Sequence, residues 1–488
     1  MPSPALARPR PRTDAAPAEG VAAALAYARA NGPRFVEELA ELVRIPSVGS
    51  EPAHAADVRR CAAWLAAHLG SIGLDARLVE TAGHPLVRAE WRGAPGRPTL
   101  LVYGHYDVQP AELADGWHTP PFEPTIRGDA LFGRGASDDK GQLWAHVKAA
   151  ECWLRAAGRL PLDLVFLFEG EEESGSRGML EYLARRGPSL GADAAVISDM
   201  AMRDARTPAI VLSERGTLGV EVTVHGAPHD LHSGVFGGAV ANPVHVLAGL
   251  VARLHAADGR VAIPGFYDGV DVPPPAERAA LRRAGPGDDE ILHDAGVSAG
   301  WGERGFSEYE RTTLRPSVDV NGIAGGYAGD GVKAVIPTRA TAKLSFRLAP
   351  GQDPERVERL FRRWVSTVPA SGLRVRVKTL FRARPVRVDP RHPAIAAAAG
   401  AARDTFGRAP VFVRSGGTLP VAAALSADLG LPVVLMGFAL RDDGMHAPDE
   451  KMHLPNFHRG VETSIRMMER LARLPFSSTR AARRPRPA

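Results

Sequence analysis

The sequence of 488 residues contains only two cysteines and no long apolar run. Cys61 and Cys152 are too few for a disulfide-stabilised scaffold, and each lies in an apolar helical pattern that predicts a buried thiol. Because no apolar stretch reaches about eighteen residues, the sequence predicts no membrane-spanning helix and no membrane partner. The first 20 residues contain arginines but no apolar segment of signal-peptide length, which predicts a cytoplasmic protein.

An excess of one charge is confined to one end of the chain. Lys and Arg total 60 and Asp and Glu total 55, and the resulting +5 equals the five arginines between Arg473 and Ala488, a stretch without acids. The remaining chain is balanced, so nucleic acid is not an expected partner. Hydrophobic residues at 45% and charged residues at 24% are typical of globular proteins and exclude a wholly disordered chain.

Short apolar runs alternate with longer helical patterns in much of the chain. The runs TLLVYG (99–104), LVFLFEG (164–170) and AAVISD (194–199) have the length and composition of buried parallel strands. Helical patterns near 139–157 and 176–187 lie between them. This alternation predicts an α/β domain in which helices flank a mostly parallel sheet.

The middle of the chain has a different pattern. Alternating strands and two helices within residues 214–382 predict an inserted α+β sandwich, and the polar segment 260–315 is expected to be rich in loops. The predicted organisation is a disordered tail at 1–19, a larger domain at 20–213 and 383–472, the inserted domain at 214–382, and a basic tail at 473–488.

Acids and histidines cluster where the predicted strands end or the next helix begins. In an open α/β sheet, ligands bind at the carboxyl ends of the parallel strands. Carboxylates gathered there repel one another, and a dication would neutralise them. Two imidazoles and three or four carboxylates exceed one tetrahedral zinc site and suit two zinc ions sharing a carboxylate. The segments concerned are YGHYD (103–107), GRGASDDKG (133–141), EGEEESGS (169–176), SD (198–199) and DDGMH (442–446).

Each motif alone also has a simpler interpretation. Asp138 and Asp139 could cap a helix, EGEEESGS could be a solvated acidic loop, and His446 could be an ordinary loop histidine. Their joint occurrence in this order favours a metal site. The lack of cysteine ligands argues against a structural zinc site, and the histidines disfavour an all-oxygen calcium site.

With these motifs, the chain resembles the di-zinc metallopeptidase family of carnosine-type dipeptidases, acylases, succinyl-diaminopimelate desuccinylase and glutamate carboxypeptidase, nearest the dipeptidase branch. The resemblance spans about residues 35–472 and implies a catalytic larger domain and a lid and dimerisation domain at 214–382. The matching motifs are GHYDVQPA, GRGASDDKG, FEGEEESGS, HDLHSGVFGG, GIAGGYAGDGVKAVIP, SFRLAP, SGGTLP and GMHAPDEK.

The resemblance implies two divalent metal ions, with Zn²⁺ as the first choice and Mn²⁺ or Co²⁺ as compatible alternatives. One ion would be held by His105, Asp138 and Asp199, and the other by Asp138, Glu173 and His446, with Asp138 bridging. Glu172 would be the general base for a metal-bridging hydroxide, and Asp107 would orient His105. The family pattern also implies a cis peptide between Asp138 and Asp139.

Residues of the inserted domain and of a later loop are implied to contact the substrate. His232 would act in trans on the partner subunit of a homodimer, with His229 of the same motif as the alternative. Arg347 would bind a substrate carboxylate, or alternatively form an ordinary salt bridge on a strand. The implied substrate loop consists of Ser415, Gly416, Gly417 and Thr418. Many dipeptidases of this branch have Glu in place of Ser415 and Ser in place of Thr418, so the substrate preference stays open.

The implied activity is metal-dependent hydrolysis of the peptide bond in dipeptides or short peptides with a free carboxylate. The alternative is an N-acyl or N-carbamoyl amino acid amidohydrolase with the same two-metal site, acting on an acyl-amino-acid substrate. Carbamoylases of this superfamily usually have a second histidine in place of the late acid ligand, whereas Asp138, Glu173 and Asp199 are all acids. A metal-free binding protein would be expected to have lost ligands, and none is lost here.

Overall fold

A computed structural model of the chain describes residues 17–475. The tails expected at 1–19 and 473–488 lie outside this range, except that residues 17–19 begin the first helix and residues 473–475 follow the last one. The described chain divides into two compact units. The first contains the chain up to Val211, Val388–Phe412 and the chain from Pro420, and the second contains Leu212–Arg387 and Val413–Leu419.

The short segment Val413–Leu419 belongs to the second unit, whereas the sequence pattern placed it in the larger domain. Its contacts explain the difference. The backbone N–H of Arg414 donates to the Tyr309 hydroxyl at 2.8 Å, and the Arg414 guanidinium donates to Glu277 at 2.9 Å. These partners are far away in sequence, so local patterns could not reveal them.

The helices of the described residues are numbered in chain order. Helices α1 to α14 are Pro17–Ala30, Gly32–Val43, Ala55–Ser71, Lys140–Ala157, Arg177–Arg186, Ser233–Phe236, Pro243–Ala252, Pro275–Ala284, Asp288–Asp294, Glu308–Thr313, Pro354–Thr367, Pro393–Phe406, Pro420–Ala423 and Leu454–Ala472. Short 3₁₀ turns lie at Pro52–His54, Leu113–Asp115, Glu172–Ser174 and Gly187–Leu190, and a π turn lies at Ala424–Asp428.

The strands are numbered in the same way. Strands β1 to β18 are Asp75–Val79, Leu86–Trp91, Thr99–His105, Thr125–Arg127, Ala130–Phe132, Asp163–Glu169, Ala194–Ser198, Ala209–Glu214, Gly216–His225, Leu231–His232, Ser317–Gly325, Val335–Ile336, Arg339–Leu348, Arg374–Ala383, Val386–Arg387, Val411–Ser415, Val433–Met436 and Lys451–His453.

The first unit is built on a sheet with the strand order β1-β2-β6-β3-β7-β17-β8. Its centre is parallel, because β3 pairs in parallel with β6 and β7, and β17 pairs in parallel with β7. The pairs β1–β2, β2–β6 and β17–β8 are antiparallel. All seven residues of β3 are buried, as expected for a continuous apolar strand covered on both faces. The predicted α/β fold class is confirmed.

Strand β3 and helix α4 approach each other closely at the end of the strand. A Cβ atom at Gly104 would lie 2.8 Å from Asp139 Oδ2 and 2.9 Å from Leu143 Cβ, so only glycine fits there. The Asp139 carboxylate also accepts the backbone N–H of His105 at 3.2 Å. This contact joins the end of β3 to the start of α4, which Asp138 and Asp139 precede.

The second unit contains an antiparallel sheet with the order β11-β13-β9-β14. Apolar side chains of β9 and β13 alternate towards one face and form a core with helices α7 and α11. The segment 260–315 was expected to be mainly loop but contains α8, α9 and α10. These helices have at most 10 residues, and α10 begins with a local cap in which the Ser307 hydroxyl accepts from the Glu310 N–H. They are too short for a clear apolar period.

A small sheet in the first unit has the order β18-β5-β4. Strand β18 pairs with β5 through Met452 and Leu131, which fixes the loop that precedes β18. Within residues 17–475, no helix combines the length and apolar character needed to cross a membrane.

Candidate metal centre

Five side chains from separate segments of the first unit come together beside the parallel strands. His105 ends β3, Asp199 directly follows β7, and Glu173 lies in the 3₁₀ turn after β6. Asp138 precedes α4, and His446 lies in the loop between β17 and β18. Because β6, β3 and β7 are parallel neighbours, their carboxyl ends meet at one edge of the sheet.

Asp138 lies between two groups of side chains and faces each with a different oxygen. His105 Nε2 is 3.0 Å from Asp138 Oδ1 and 3.8 Å from Asp199 Oδ2. His446 Nε2 is 3.0 Å from Asp138 Oδ2 and 3.2 Å from Glu173 Oε1. The structure therefore brings the five sequence-predicted ligands together in the two predicted groups. The peptide between Asp138 and Asp139 is cis, as the resemblance implied.

The donor atoms in the two groups fit two divalent cations. Each group offers one imidazole nitrogen and two carboxylate oxygens within 4.8 Å of one another. Nitrogen and oxygen donors without thiolates suit Zn²⁺, Mn²⁺ or Co²⁺. Without a cation, three carboxylates would share a largely buried space, where burial and mutual repulsion disfavour their charged forms.

The pKa values of the acids show this electrostatic conflict. Burial raises the pKa of Asp199 well above its ordinary value, and the charges of Asp138 and Asp139 raise it further. For Asp138, burial acts in the same direction, but hydrogen bonds from His105 and His446 outweigh it and lower the pKa. Asp138 thus remains a charged acceptor between the two imidazoles.

The histidines respond in the opposite direction. Burial lowers the pKa of His105, but hydrogen bonds to Asp107 and Asp138 outweigh it and raise the pKa well above the ordinary value. Hydrogen bonds to Asp138 and Glu173 raise the pKa of His446 to about 10. Both imidazoles therefore favour their protonated form, as expected when they face several carboxylates.

Asp107 supports the site through its carboxylate and its backbone. Its Oδ1 accepts the backbone N–H of Glu172 at 3.2 Å, and its Oδ2 accepts that of Glu173 at 3.1 Å. His105 Nδ1 lies 3.0 Å from the Asp107 carbonyl oxygen and 3.5 Å from Asp107 Oδ1. Asp107 therefore holds the turn that carries Glu172 and Glu173, and it also faces Nδ1 of His105.

Glu172 lies on the same turn, next to Glu173. Burial raises the pKa of Glu172 to about 7, and the charges of Glu173 and Asp107 act in the same direction. A carboxylate with a pKa near neutrality can both accept and return a proton, as a general base and acid must do.

Two further residues support the ligands and were not assigned a role from the sequence. Gln109 Nε2 donates to Glu173 Oε2 at 2.7 Å, which leaves Oε1 facing His446. The fully buried Glu450 accepts four hydrogen bonds at 2.9 Å from the segment that ends at Asp138. The donors are the Arg134 guanidinium and the backbone N–H groups of Gly135, Ser137 and Asp138.

The sequence contained a weak signal for both residues. Gln109 lies in GHYDVQPA two positions after Asp107, and Glu450 lies in GMHAPDEK four positions after His446. Both were inside quoted motifs, but only the fold shows that each contacts a different ligand segment.

A third group of possible metal-binding side chains consists of Glu38, His68 and Glu151. Lys148 Nζ lies 2.5 Å from Glu38, 2.7 Å from Glu151 and 2.8 Å from His68 Nε2. The lysine ammonium thus provides the positive charge here, so this group is a buried ion-pair network.

His232, implied to act in trans, belongs to the second unit. It lies at the start of α6, where its Nδ1 accepts the backbone N–H of Gly234 at 3.0 Å, and its side chain is exposed. His232 pairs with Val335 in the ladder between β10 and β12. Nearby, the Asp230 carboxylate accepts the N–H of Thr338 at 3.1 Å.

The implied substrate residues also lie in the second unit, and the structure brings two of them together. Arg347 Nη1 donates to Thr418 Oγ1 at 3.0 Å. In the same loop, Ser415 Oγ accepts the N–H of Gly417 at 3.0 Å, and the Gly416 carbonyl accepts from Arg215 at 3.2 Å. Arg215 was not assigned a role from the sequence.

The chain is similar to several known proteins. The sequence is 31% identical over 459 residues to the Cys-Gly metallodipeptidase dug1 of Schizosaccharomyces pombe, covering 90% of this chain and 95% of that protein. It is 32% identical over 400 residues to the Beta-Ala-His dipeptidase of Homo sapiens, covering 80% and 78%. The M20 family metallo-carboxypeptidase Sso-CP2 of Sulfolobus solfataricus is similar in structure, with a TM-score of 0.81, 30% identity, and coverage of 90% and 99%.

A protein-family model also matches this chain. Residues 101–470 match the model of Peptidase family M20/M25/M40, and this range contains all five predicted ligands. The implied membership of a metallopeptidase family that uses divalent metal ions is confirmed. The chain therefore belongs to Peptidase family M20/M25/M40.

Proposed function

We propose that this protein is a metal-dependent dipeptidase, which hydrolyses the peptide bond of dipeptides or short peptides with a free carboxylate. The observation that carries the proposal is the position of Asp138 between His105 and His446, with Glu172 on the adjoining turn. The relatives named as Cys-Gly and Beta-Ala-His dipeptidases support this substrate class.

The metal assignment follows the two groups of donors. One cation would be held by His105, Asp138 and Asp199, and the other by Asp138, Glu173 and His446. Zn²⁺ is the proposed ion, because imidazole and carboxylate ligands with room for water are typical of catalytic zinc sites. When bound, such cations would supply Lewis-acid polarisation of a substrate carbonyl and would lower the pKa of a water molecule.

The residues of the chain supply the proton transfers. Glu172 would accept a proton from the attacking water and return it to the amine nitrogen as the peptide bond breaks. Asp107 holds the Glu172 and Glu173 backbone, so it would fix both the base and a metal ligand. Asp107 would also orient the imidazole of His105 through the ring nitrogen that faces away from Asp138.

The second unit would bind and orient the substrate. Arg347 is the proposed partner of the substrate carboxylate, because a guanidinium can bind it in a bidentate manner. The loop Ser415–Thr418 would line the same pocket, through Gly416 and Gly417. His232 would reach the active site of the partner subunit and donate to the developing oxyanion, which makes the homodimer the active form.

The proposed location of the protein is the cytoplasm. The two buried free thiols, Cys61 and Cys152, suit its reducing conditions.

A substrate panel with metal removal tests the proposal. The purified protein is assayed on dipeptides, tripeptides, and N-acetyl, N-succinyl and N-carbamoyl amino acids, before and after chelation and re-addition of Zn²⁺, Mn²⁺ or Co²⁺. We expect dipeptides to be hydrolysed fastest, activity to disappear on chelation, and a divalent cation to restore it.

Two results would contradict the proposal. Activity that survives complete chelation would exclude a metal-dependent mechanism. Hydrolysis of an acylated or carbamoylated amino acid in preference to every dipeptide would replace the dipeptidase by the amidohydrolase alternative, which the named relatives do not favour.

A further inference from the structure

Arg215 of the second unit is a buried cation that forms no ion pair with any acid of the described residues. It lies between β8 and β9 and is 9% exposed. Its hydrogen bonds go to backbone carbonyls, from Nε to Gly416 at 3.2 Å and from Nη1 to Arg315 at 3.4 Å and Arg311 at 3.5 Å. No carboxylate of residues 17–475 forms an ion pair with it. Buried arginines are normally paired with acids, because an uncompensated buried charge is costly.

A second cation lies near this unpaired charge. Burial lowers the pKa of Arg215 to about 10, and the positive charge of Arg347 contributes in the same direction. Arg347 donates to Thr418 and has no ion-pair partner in the described part of the chain. Asp319 is the acid whose charge opposes this effect, but it forms no ion pair with either arginine. Two neighbouring cations that form no ion pair with a described acid create an environment that an anion would stabilise.

Arg215 also holds the substrate loop at two points. Its guanidinium binds the Gly416 carbonyl, and its own carbonyl accepts the Thr418 hydroxyl at 2.6 Å. Thr418 Oγ1 in turn accepts from Arg347, so the order of donation runs from Arg347 through Thr418 to Arg215. A Cβ at Gly416 would lie 2.4 Å from the Thr312 carbonyl and 3.2 Å from Arg215 Nη2, so the loop and the guanidinium are in close contact.

We propose that Arg215 is a positioning residue for the substrate carboxylate, and that it makes the enzyme select substrates with an anionic C-terminus. This inference rests on the proposed function. The Arg215 guanidinium holds the Gly416–Thr418 loop at the Gly416 carbonyl, and the Arg215 backbone carbonyl accepts from Thr418, which in turn accepts from Arg347. Its charge has no ion-pair partner among residues 17–475, so a bound carboxylate completes the neutralisation of this pocket.

The test compares carboxylate recognition in two variants of the metal-loaded enzyme. Arg215→Met removes the charge and keeps an elongated side chain, and Arg215→Lys keeps the charge but loses the planar fork of donors. Each variant is assayed with a dipeptide that the wild-type enzyme hydrolyses and with the C-terminal amide of that dipeptide. The C-terminal amino acid released from the dipeptide and the amide of this amino acid are tested as inhibitors. Thermal melting and metal content are measured first.

We expect the KM of Arg215→Met for the free dipeptide and the inhibition constant of the amino acid to rise roughly 10- to 100-fold, as for loss of charge-assisted bonds. The kcat and the inhibition constant of the amide should change by less than about 3-fold, because the amide has no charge for the pocket to recognise. Arg215→Lys should lie between the wild type and Arg215→Met. A general structural defect would affect the acid and the amide equally.

Arg315→Lys is the matched control, because Arg315 is also buried in the second unit but is paired with Glu303 at 2.7 and 2.8 Å. Its acid-to-amide preference should equal that of the wild type. An unchanged preference in Arg215→Met, or an equal loss for acid and amide, would overturn the inference. If Arg215→Met does not fold, the same comparison with Arg215→Lys decides. Failure of the proposed function would be visible earlier, as a wild-type enzyme that hydrolyses no dipeptide.

Discussion

Asp138 is the residue that the two groups of predicted metal ligands share. Its two oxygens face His105 and His446 at the same distance of 3.0 Å. Removing one ligand from either group would leave the other group complete, whereas removing Asp138 would affect both.

The sequence predicted this ligand set because the motifs are long and ordered. It could not predict the supporting contacts of Gln109 and Glu450, which depend on pairs 64 and 312 residues apart in the chain.

At the residue scale, the run Glu171–Glu173 contains three neighbouring carboxylates, of which Glu172 is the proposed base and Glu173 a proposed metal ligand. We expect Glu172→Gln to bind metal as the wild type does and to lose activity by roughly 10²- to 10⁴-fold, the usual contribution of a general base. Metal content and kcat on the same sample measure this. Glu171→Gln is the control, because Glu171 accepts from the Gly178 N–H on the following helix and should retain near-normal turnover. Substantial activity in Glu172→Gln would remove it as the base.

Glu450 provides a second prediction at this scale. In Glu450→Gln the amide N–H₂ would face backbone N–H donors that the carboxylate now accepts, so the segment ending at Asp138 would be displaced. We expect metal affinity to fall roughly 10- to 100-fold, as for residues that orient ligands. Calorimetric titration of the metal-free protein measures this affinity. Glu151→Gln, a buried glutamate in the Lys148 network, should keep it; equal affinity in the Glu450 variant would contradict the prediction.

At the element scale, the central strands could be predicted and the peripheral elements could not. The runs at 99–104, 164–170 and 194–199 agree with β3, β6 and β7 to within one residue at each end, because continuous apolar runs are typical of strands buried on both faces. The hairpin of β1 and β2 was not predicted. The sequences DARLV and LVRAEW of this hairpin contain charged residues and are short, so their alternation is weak.

His146 connects three elements of the first unit and leads to a pH prediction. It lies in α4, and its ring nitrogens contact Ser198 of β7 at 2.7 Å and Ser464 of α14 at 2.8 Å. Burial lowers its pKa from 6.5 to about 4. Between these values the unfolded chain binds a proton that the folded chain does not. The stability due to neutral His146 is therefore present above pH 6.5 and is lost as the pH falls towards 4.

We expect the wild-type free energy of unfolding to fall by about 2 kcal/mol more than that of His146→Gln between pH 7 and pH 5. Gln keeps hydrogen-bonding groups near the two serines but does not titrate. Urea unfolding at several pH values, with the same metal concentration for both proteins, measures the difference. Equal pH dependence in the two proteins would contradict a buried neutral His146.

At the scale of the whole molecule, the chain is divided between a unit that carries the predicted metal ligands and a unit that carries His232, Arg347 and the Ser415–Thr418 loop. The sequence predicted an inserted domain from its change of pattern. It did not predict that residues 413–419 join this domain, because the contact between Arg414 and Tyr309 spans 105 residues. The catalytic and lid roles of the two units, and the homodimer, remain predictions.

Complementation tests the proposed homodimer. The variants His232→Ala and Glu172→Gln are each expected to be inactive alone. In a heterodimer, the Glu172→Gln chain supplies an intact His232, and the His232→Ala chain supplies an intact Glu172. In a 1:1 mixture, half of the dimers would contain both variants with one complete site each, so about a quarter of wild-type activity should return. Glu172→Gln mixed with Asp138→Asn should recover nothing, because both changes affect the metal centre. Absence of recovery despite measured subunit exchange would contradict the trans role of His232.

We propose above all that two divalent cations bind in the first unit and share Asp138 as a ligand. Titration of the metal-free protein with Zn²⁺, followed by native mass spectrometry, tests it most directly. We predict two ions per wild-type chain, one per chain for His446→Ala, and a loss of affinity at both positions for Asp138→Ala. A wild-type chain that saturates with one ion, or an Asp138→Ala chain that binds two with unchanged affinity, would contradict the account.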